Sequence, residues 1–197
     1  SHGSPVEVTT FRSDGEYKDH RRPESVLFIG DLNSDLERRD STINALAMPL
    51  TRELRDNFGG RKDIEKKLIR CVGEPEKRFE EDALRMLRAF RFSAVLGFEI
   101  EPETLVAIRK KSHLSGDLAR ERVRVELEKI LLSDSPQVIS DVIRYGLLRG
   151  IIANDSPEAD LSVLKRLPKN RALRWAGLCA LLLRGCVIDD TAKFLTA

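Results

Sequence analysis

Hydrophobic and polar positions in residues 78–92, RFEEDALRMLRAFRF, repeat with the period of a helix. At roughly 100° per residue, Ala83, Met86, Leu87, Phe90 and Ala94 gather on one side. Asp82, Arg85, Arg88 and Arg91 form a polar stripe that slants around the other. The pattern predicts one continuous amphipathic helix, introduced by Gly73 and Pro75 and stopped at Gly97, a C-cap glycine.

Before that helix the period changes to two. In residues 6–11, Val6, Val8 and Thr10 fall on one face and Glu7, Thr9 and Phe11 on the other, as in a β-strand. Residues 26–29 read as a second short strand, and residues 68–72 as a third. Between them a helix is predicted from Ser34, an N-cap candidate with Glu37 three residues later. That helix carries Arg38, Arg39, Asp40 and Asn44. Gly59-Gly60 reads as a structural turn rather than a phosphate loop, because a lone pair of glycines is a weak signal.

After residue 102 the pattern is helical: 102–111, 115–132, and 137–145 ended by Gly146. Residues 154–157 read as a linker, followed by helices near 159–167, 171–183 and 189–195. The fold class is therefore α+β and mostly α.

Composition narrows the class without naming a function. The 197 residues are 41% hydrophobic and 34% charged with net charge +2, enough to bury a core in one or two domains. So small a charge does not announce a nucleic-acid binder, and any RNA surface must come from local clustering. Cys71, Cys179 and Cys186 sit in apolar runs without CxxC spacing and read as buried hydrophobes in a reducing compartment. No apolar run is long enough to span a membrane and no signal-peptide pattern opens the chain, so the expected compartment is the cytoplasm.

The polar stripe offers the most specific chemistry. Aspartate accepts hydrogen bonds and a guanidinium only donates them. Cytosine and adenine each present an amino donor beside a ring-nitrogen acceptor, so one Asp–Arg pair can read both. Guanine and uracil present a carbonyl beside an N–H and mismatch both groups. The competing reading is a solvated helix face with (i, i+3) ion pairs. Arg166, Lys169, Arg171 and Arg174 form a modest basic cluster, for which a solvated face competes with an RNA contact.

Taken together, residues 6–23, LERRDSTINALAM at 36–48, DNFGGRKD at 56–63, residues 69–92 and ARERVRVELEKIL at 119–131 resemble the class II tRNA nucleotidyltransferases and bacterial poly(A) polymerases. The likeness is greatest to the CCA-adding branch, which rebuilds the 3′ CCA end of tRNA, and runs from about Val6 to Gly150. It implies a β-sheet head remnant in 1–56, a helical nucleotide-recognition neck in 57–153, and the start of a tRNA-contacting body in 154–197.

The resemblance also implies roles. Glu7 becomes the third carboxylate of a catalytic Mg2+ site. Arg39 contacts phosphate or ribose, and Asp40 and Asn44 help discriminate ribose. Asp82 and Arg85 read the base edge of CTP or ATP, and Arg88 supports them and helps neutralise the triphosphate. Arg91 joins the set on family likeness alone, since it lies half a turn from Asp82. Ser41 departs from the aromatic usual after the Asp, which puts local packing and sugar-side contacts in question.

Two family elements are missing from the sequence: the Gly-Gly triphosphate loop and the Asp-x-Asp metal pair. Asp31, Asp35 and Asp189-Asp190 lack the context to replace them. One carboxylate cannot build a two-metal site, so the 197 residues alone are expected not to catalyse. Besides CCA addition, a poly(A) polymerase or partial-CCA activity fits these motifs, as does a non-catalytic module binding tRNA or a partner that brings the absent head segment.

Overall fold

The computed structural model describes residues 8–15, 25–50, 52–152 and 160–182. Two short strands, β1 (Arg12–Asp14) and β2 (Val26–Phe28), pair antiparallel, with Arg12 opposite Phe28. Of the expected strand at residues 6–11, residues 6 and 7 lie outside the described residues. Residues 8–11 lie outside a strand, although the Phe11 carbonyl still accepts from Ile29 N–H.

Helix α1 (Leu32–Glu37) begins earlier than expected. Asp31, not Ser34, is its N-cap and accepts from the N–H groups of Asn33 and Ser34. The Ser34 hydroxyl donates to the same carboxylate at 2.7 Å, which places Ser34 inside the first turn. The helix also stops sooner: Arg38, Arg39 and Asp40 lie beyond it, and Asn44 closes a separate 3₁₀ turn, Thr42–Asn44.

Helix α2 (Gly60–Glu65) is capped by Asp56, whose two carboxylate oxygens accept from Gly60 and Arg61 N–H. A Cβ at Gly60 would come within 2.1 Å of the Thr42 carbonyl, so this glycine serves close packing. Strand β3 (Leu68–Ile69) runs parallel to β4 (Glu99–Ile100). The expected strand at 68–72 is thus two residues long, extended only by a bridge between Cys71 and Ser41.

The predicted single helix over 78–92 is two helices, α3 (Pro75–Glu81) and α4 (Leu84–Leu96). The chain leaves the helical conformation at Asp82, with φ −144° and ψ 103°. Its side chain accepts from Leu84 N–H at 3.1 Å, satisfying a free donor at the start of α4. The apolar side is as the period predicts: Ala83, Met86, Leu87, Phe90 and Ala94 are all buried. Gly97, at φ 68°, ends α4.

Helix α5 spans Pro102–Lys111, as read from sequence. The next predicted helix is partly 3₁₀: Ser112–Asp117 form a 3₁₀ segment before α6 (Arg120–Leu131). A 3₁₀ turn at Pro136–Val138 then leads into α7 (Ile139–Arg144). Leu161–Arg166 is likewise 3₁₀, and α8 covers Arg171–Leu182. The linker at 154–157, the helix at 189–195 and Cys186 lie outside the described residues.

Most of the core lies between α4, α6 and their neighbours. Phe79, Met86, Leu87, Leu127, Ile130, Leu147 and Leu164 are fully buried within it. Phe90 and Tyr145 add a tilted ring contact at 5.4 Å between centroids. A smaller cluster joins Leu36, Ala45 and Val72. Helix α8 is fastened to this core by the buried Arg174. Its guanidinium donates to the carbonyls of Leu131, Ser133, Leu167 and Pro168. Arg174 is therefore not part of a solvent-facing basic cluster, while Lys169 pairs with Asp134 and Arg171 with Glu128. Among the described residues no helix is long and apolar enough to cross a membrane.

Candidate nucleotide-recognition site

The polar residues singled out in sequence converge where the break between α3 and α4 meets the end of α1. Arg85 crosses this junction. Its Nη2 donates to the Arg38 carbonyl at 2.9 Å, and its Nη1 pairs with Glu81 at 2.8 Å. The side chain is only 8% exposed. Arg78, on α3 across the break, donates to the Glu37 carbonyl at 3.2 Å and pairs with Glu81 at 2.8 Å. Two guanidinium groups thus satisfy carbonyls at the C-terminal end of α1, which a helix leaves unpaired.

Asp82 and Arg85 do not pair with each other. The Asp82 carboxylate is held from two directions, by Leu84 N–H and by Arg122 Nη2 at 2.9 Å from α6. Arg88 reaches Asp40, Nε to Oδ2 at 2.6 Å. Asp40 also accepts from Asn44 at 3.0 Å and from the Ser41 hydroxyl at 3.4 Å. Burial opposes the ionised Asp40. The Arg88 charge, the hydrogen bonds from Asn44 and Arg88, and the Arg85 charge outweigh it and hold the carboxyl below its ordinary pKa.

Arg39 donates to Asp35 at 2.7 Å and is 40% exposed, with its Nε buried and without a hydrogen-bond partner. Asp35 is itself buried and takes Arg38 on its other oxygen, together with Arg12 N–H. Burial works against that carboxylate as well, and the hydrogen bonds from Arg38, Arg39 and Arg12 keep its pKa below the usual value. Arg91 goes elsewhere. Its Nε lies 2.5 Å from Glu126 on α6, an ion pair whose N–H direction makes no hydrogen bond, and its guanidinium covers the Phe92 ring at 3.9 Å.

Beside this junction lies a polar cleft of about 230 Å³, bordered by Ser13, Ser34, Glu37, Arg38, Arg78 and Glu81. Ser41, buried at the edge of the site, supplies a hydroxyl to Asp40 where the family resemblance led one to look for an aromatic. Cys71, bridged to Ser41, is inert as a nucleophile. Burial, followed by the nearby Asp40 charge, pushes its thiol up to about 12.

Sequence reasoning did not single out Asp35, Glu81 or Arg122. Glu81 was legible as an (i, i+4) partner of Arg85, and Asp35 stands at the same spacing before Arg39. Arg122 lies 40 residues from Asp82, beyond any local pattern. Glu7 lies outside the described residues. Among the described residues no group of three or more His, Cys, Asp or Glu side chains is placed to hold a metal ion.

The poly A polymerase head domain family matches residues 1–70, and the family described as the probable RNA and SrmB-binding site of polymerase A matches residues 97–160. The chain belongs to the tRNA nucleotidyltransferase and poly(A) polymerase family. Over 194 residues it is 48% identical to the CCA-adding enzyme of Bacillus velezensis, covering 96% of this chain and 48% of that one. The CCA-adding enzyme of Bacillus subtilis is 44% identical over 196 residues, with 97% and 49% covered. Among solved structures, the Bacillus stearothermophilus CCA-adding enzyme in complex with CTP superimposes with a TM-score of 0.80 at 34% identity. That match covers 100% of this chain and 48% of the other. The chain therefore spans about half the length of the curated relatives it matches.

Proposed function

We propose that a protein carrying this chain is a template-independent RNA nucleotidyltransferase that adds C and A to tRNA 3′ ends from CTP and ATP. The observation that carries this reading is the convergence at the α3–α4 break: Asp82 lies at the break and Arg85 in the first turn of α4, and Arg85 and Arg88 tie the break to the segment holding Arg39, Asp40 and Asn44. In this reading Asp82 accepts from the amino group of C or A, and Arg85 donates to the adjacent ring nitrogen. Arg39 meets phosphate or ribose, Asp40 and Asn44 face the ribose, and Arg88 adds positive charge toward the triphosphate. Arg91, engaged with Glu126, stabilises the packing of α4 on α6.

The division into a head remnant (1–56), neck (57–153) and start of a body (154–197) belongs to the same proposal, as does a cytoplasmic location. So does Mg2+, for which Glu7 supplies one carboxylate. The residues present do not make a complete metal site, since the sequence holds no Asp-x-Asp pair in the family's context. The chain's own residues select and orient the nucleotide.

A poly(A) polymerase or partial-CCA activity is the second reading, favoured by the match to the poly A polymerase head domain. One experiment addresses both: the chain, joined to the remaining head of the Bacillus velezensis relative, is given CTP and ATP with a tRNA ending before CCA. CCA-length products, with C and A preference lost in Asp82→Ala and Arg85→Ala, support the first reading. Runs of A alone support the second, and unchanged preference in both variants overturns base reading by this pair.

A further inference from the structure

We propose that Arg122 is a specificity-determining positioning residue, which fixes the Asp82 carboxylate in the orientation that reads the base; the inference rests on the base-reading role of Asp82. Three features of Arg122 are unfavourable for stability alone. It stands in the first turn of α6, where the helix dipole disfavours a cation. Its Nη1 is buried without a hydrogen-bond partner. Its pair with Asp82 is partly exposed, at 27% and 19%, where ion pairs contribute little. An apolar side chain at this place would avoid all three costs.

What the pair does achieve is orientation. Asp82 sits at a backbone break, where no helical neighbour fixes its rotamer. Leu84 N–H holds one carboxylate oxygen and Arg122 holds the other, so the carboxylate plane is set from both sides. Both oxygens retain lone pairs able to accept a further donor. The same division keeps the two reading groups apart. Asp82 and Arg85 stand at (i, i+3), the spacing at which they would neutralise each other, but Asp82 is paired with Arg122 and Arg85 with Glu81. The donor and acceptor therefore remain separately oriented.

The test is equilibrium dialysis of the chain against labelled CTP, ATP, UTP and GTP, for wild type, Arg122→Met, Arg122→Lys, Asp82→Asn and the Arg122→Met/Asp82→Asn double variant, with thermal midpoints for each. The proposal expects wild type to prefer CTP and ATP, and Arg122→Met to reduce that preference by about tenfold, the scale of one charge-assisted hydrogen bond. Arg122→Lys should restore part of the preference, because an ammonium keeps the charge without the planar fork. In the Asp82→Asn background Arg122→Met should change preference no further, since it acts through Asp82. Equal weakening of all four nucleotides by Arg122→Met, or an additive effect in the double variant, would overturn the role of Arg122 while leaving Asp82 as the reader. No preference in wild type, or preference intact in Asp82→Asn, would instead overturn the base reading itself and the inference with it.

Discussion

The α4–α6 seam and the β1–β2 hairpin contain the same kinds of apolar side chain and treat them in opposite ways. In the seam, Met86, Leu87, Val123, Leu127 and Ile130 are at most 2% exposed. In the hairpin, Leu27 is 65% and Phe28 76% exposed. The cause is partnership, not composition. Each helix presents its apolar stripe to another helix of the same chain. The two strands share backbone hydrogen bonds, but those place no apolar layer over Leu27 and Phe28. Stability of the described residues therefore resides in the helices, and the junction carrying Asp82 and Arg85 is built on the stable side.

The largest effect that sharpens this contrast is a cavity in the seam. Leu87→Ala should cost about 2–5 kcal/mol, read as a lower urea midpoint at unchanged slope. A loss below about 1 kcal/mol would mean that the seam collapses around the cavity, and the contrast would weaken. Next comes the polar fastening of α8. Arg174→Met keeps volume but removes the donor to four carbonyls, at a cost of roughly 2–3 kcal/mol. Unchanged stability would show that α8 is held by Trp175 and Leu178 alone.

The seam was also the part most legible in the sequence. A period of 3.6 named Ala83, Met86, Leu87, Phe90 and Ala94, all buried, though not Leu84 or Ala89, which are buried too. Glycine and proline signals gave Gly97 as the stop and Pro102 as the start of α5. The interruption at Asp82 was not legible. It depends on bonds that cross the fold: Arg85 to the Arg38 carbonyl, and Arg122 to Asp82. For the same reason the Asp82–Arg85–Arg88 stripe of a continuous helix became three residues with three separate partners. At α1 the sequence reading named Ser34 as the cap and missed Asp31, whose carboxylate, with two oxygens, takes the free N–H groups of both Asn33 and Ser34. The residues of the candidate site were thus readable by type, whereas their mutual pairing was a property of the tertiary structure.

Between the seam and the hairpin lies Asp40, whose contribution depends on pH. Its folded pKa is depressed from 3.8, so the ionised form is favoured by folding. That stability is present above the unfolded carboxyl pKa and is lost as pH falls through the lower folded value. Asp40→Asn should therefore cost about 1–2 kcal/mol at pH 7, the scale of the charge-assisted bonds from Arg88, and the gap should narrow below about pH 3.8. Denaturation midpoints of both proteins at pH 7 and pH 3 make the check. A gap that widens in acid would reverse the assigned sign.

The smallest effect belongs to the hairpin. Leu27→Ser and Phe28→Ser each remove an apolar side chain that is already mostly in water, so little transfer free energy is at stake. Either change should alter the stability of this chain by no more than about 0.5 kcal/mol, against several for Leu87→Ala. The backbone pairing of Leu27 with Ser13 is independent of side-chain polarity and should survive. Measured by the same urea titration, a loss comparable to that of Leu87→Ala would mean that the hairpin buries these side chains in solution. Stability would then be shared between the two regions, and the helices would no longer account for it alone.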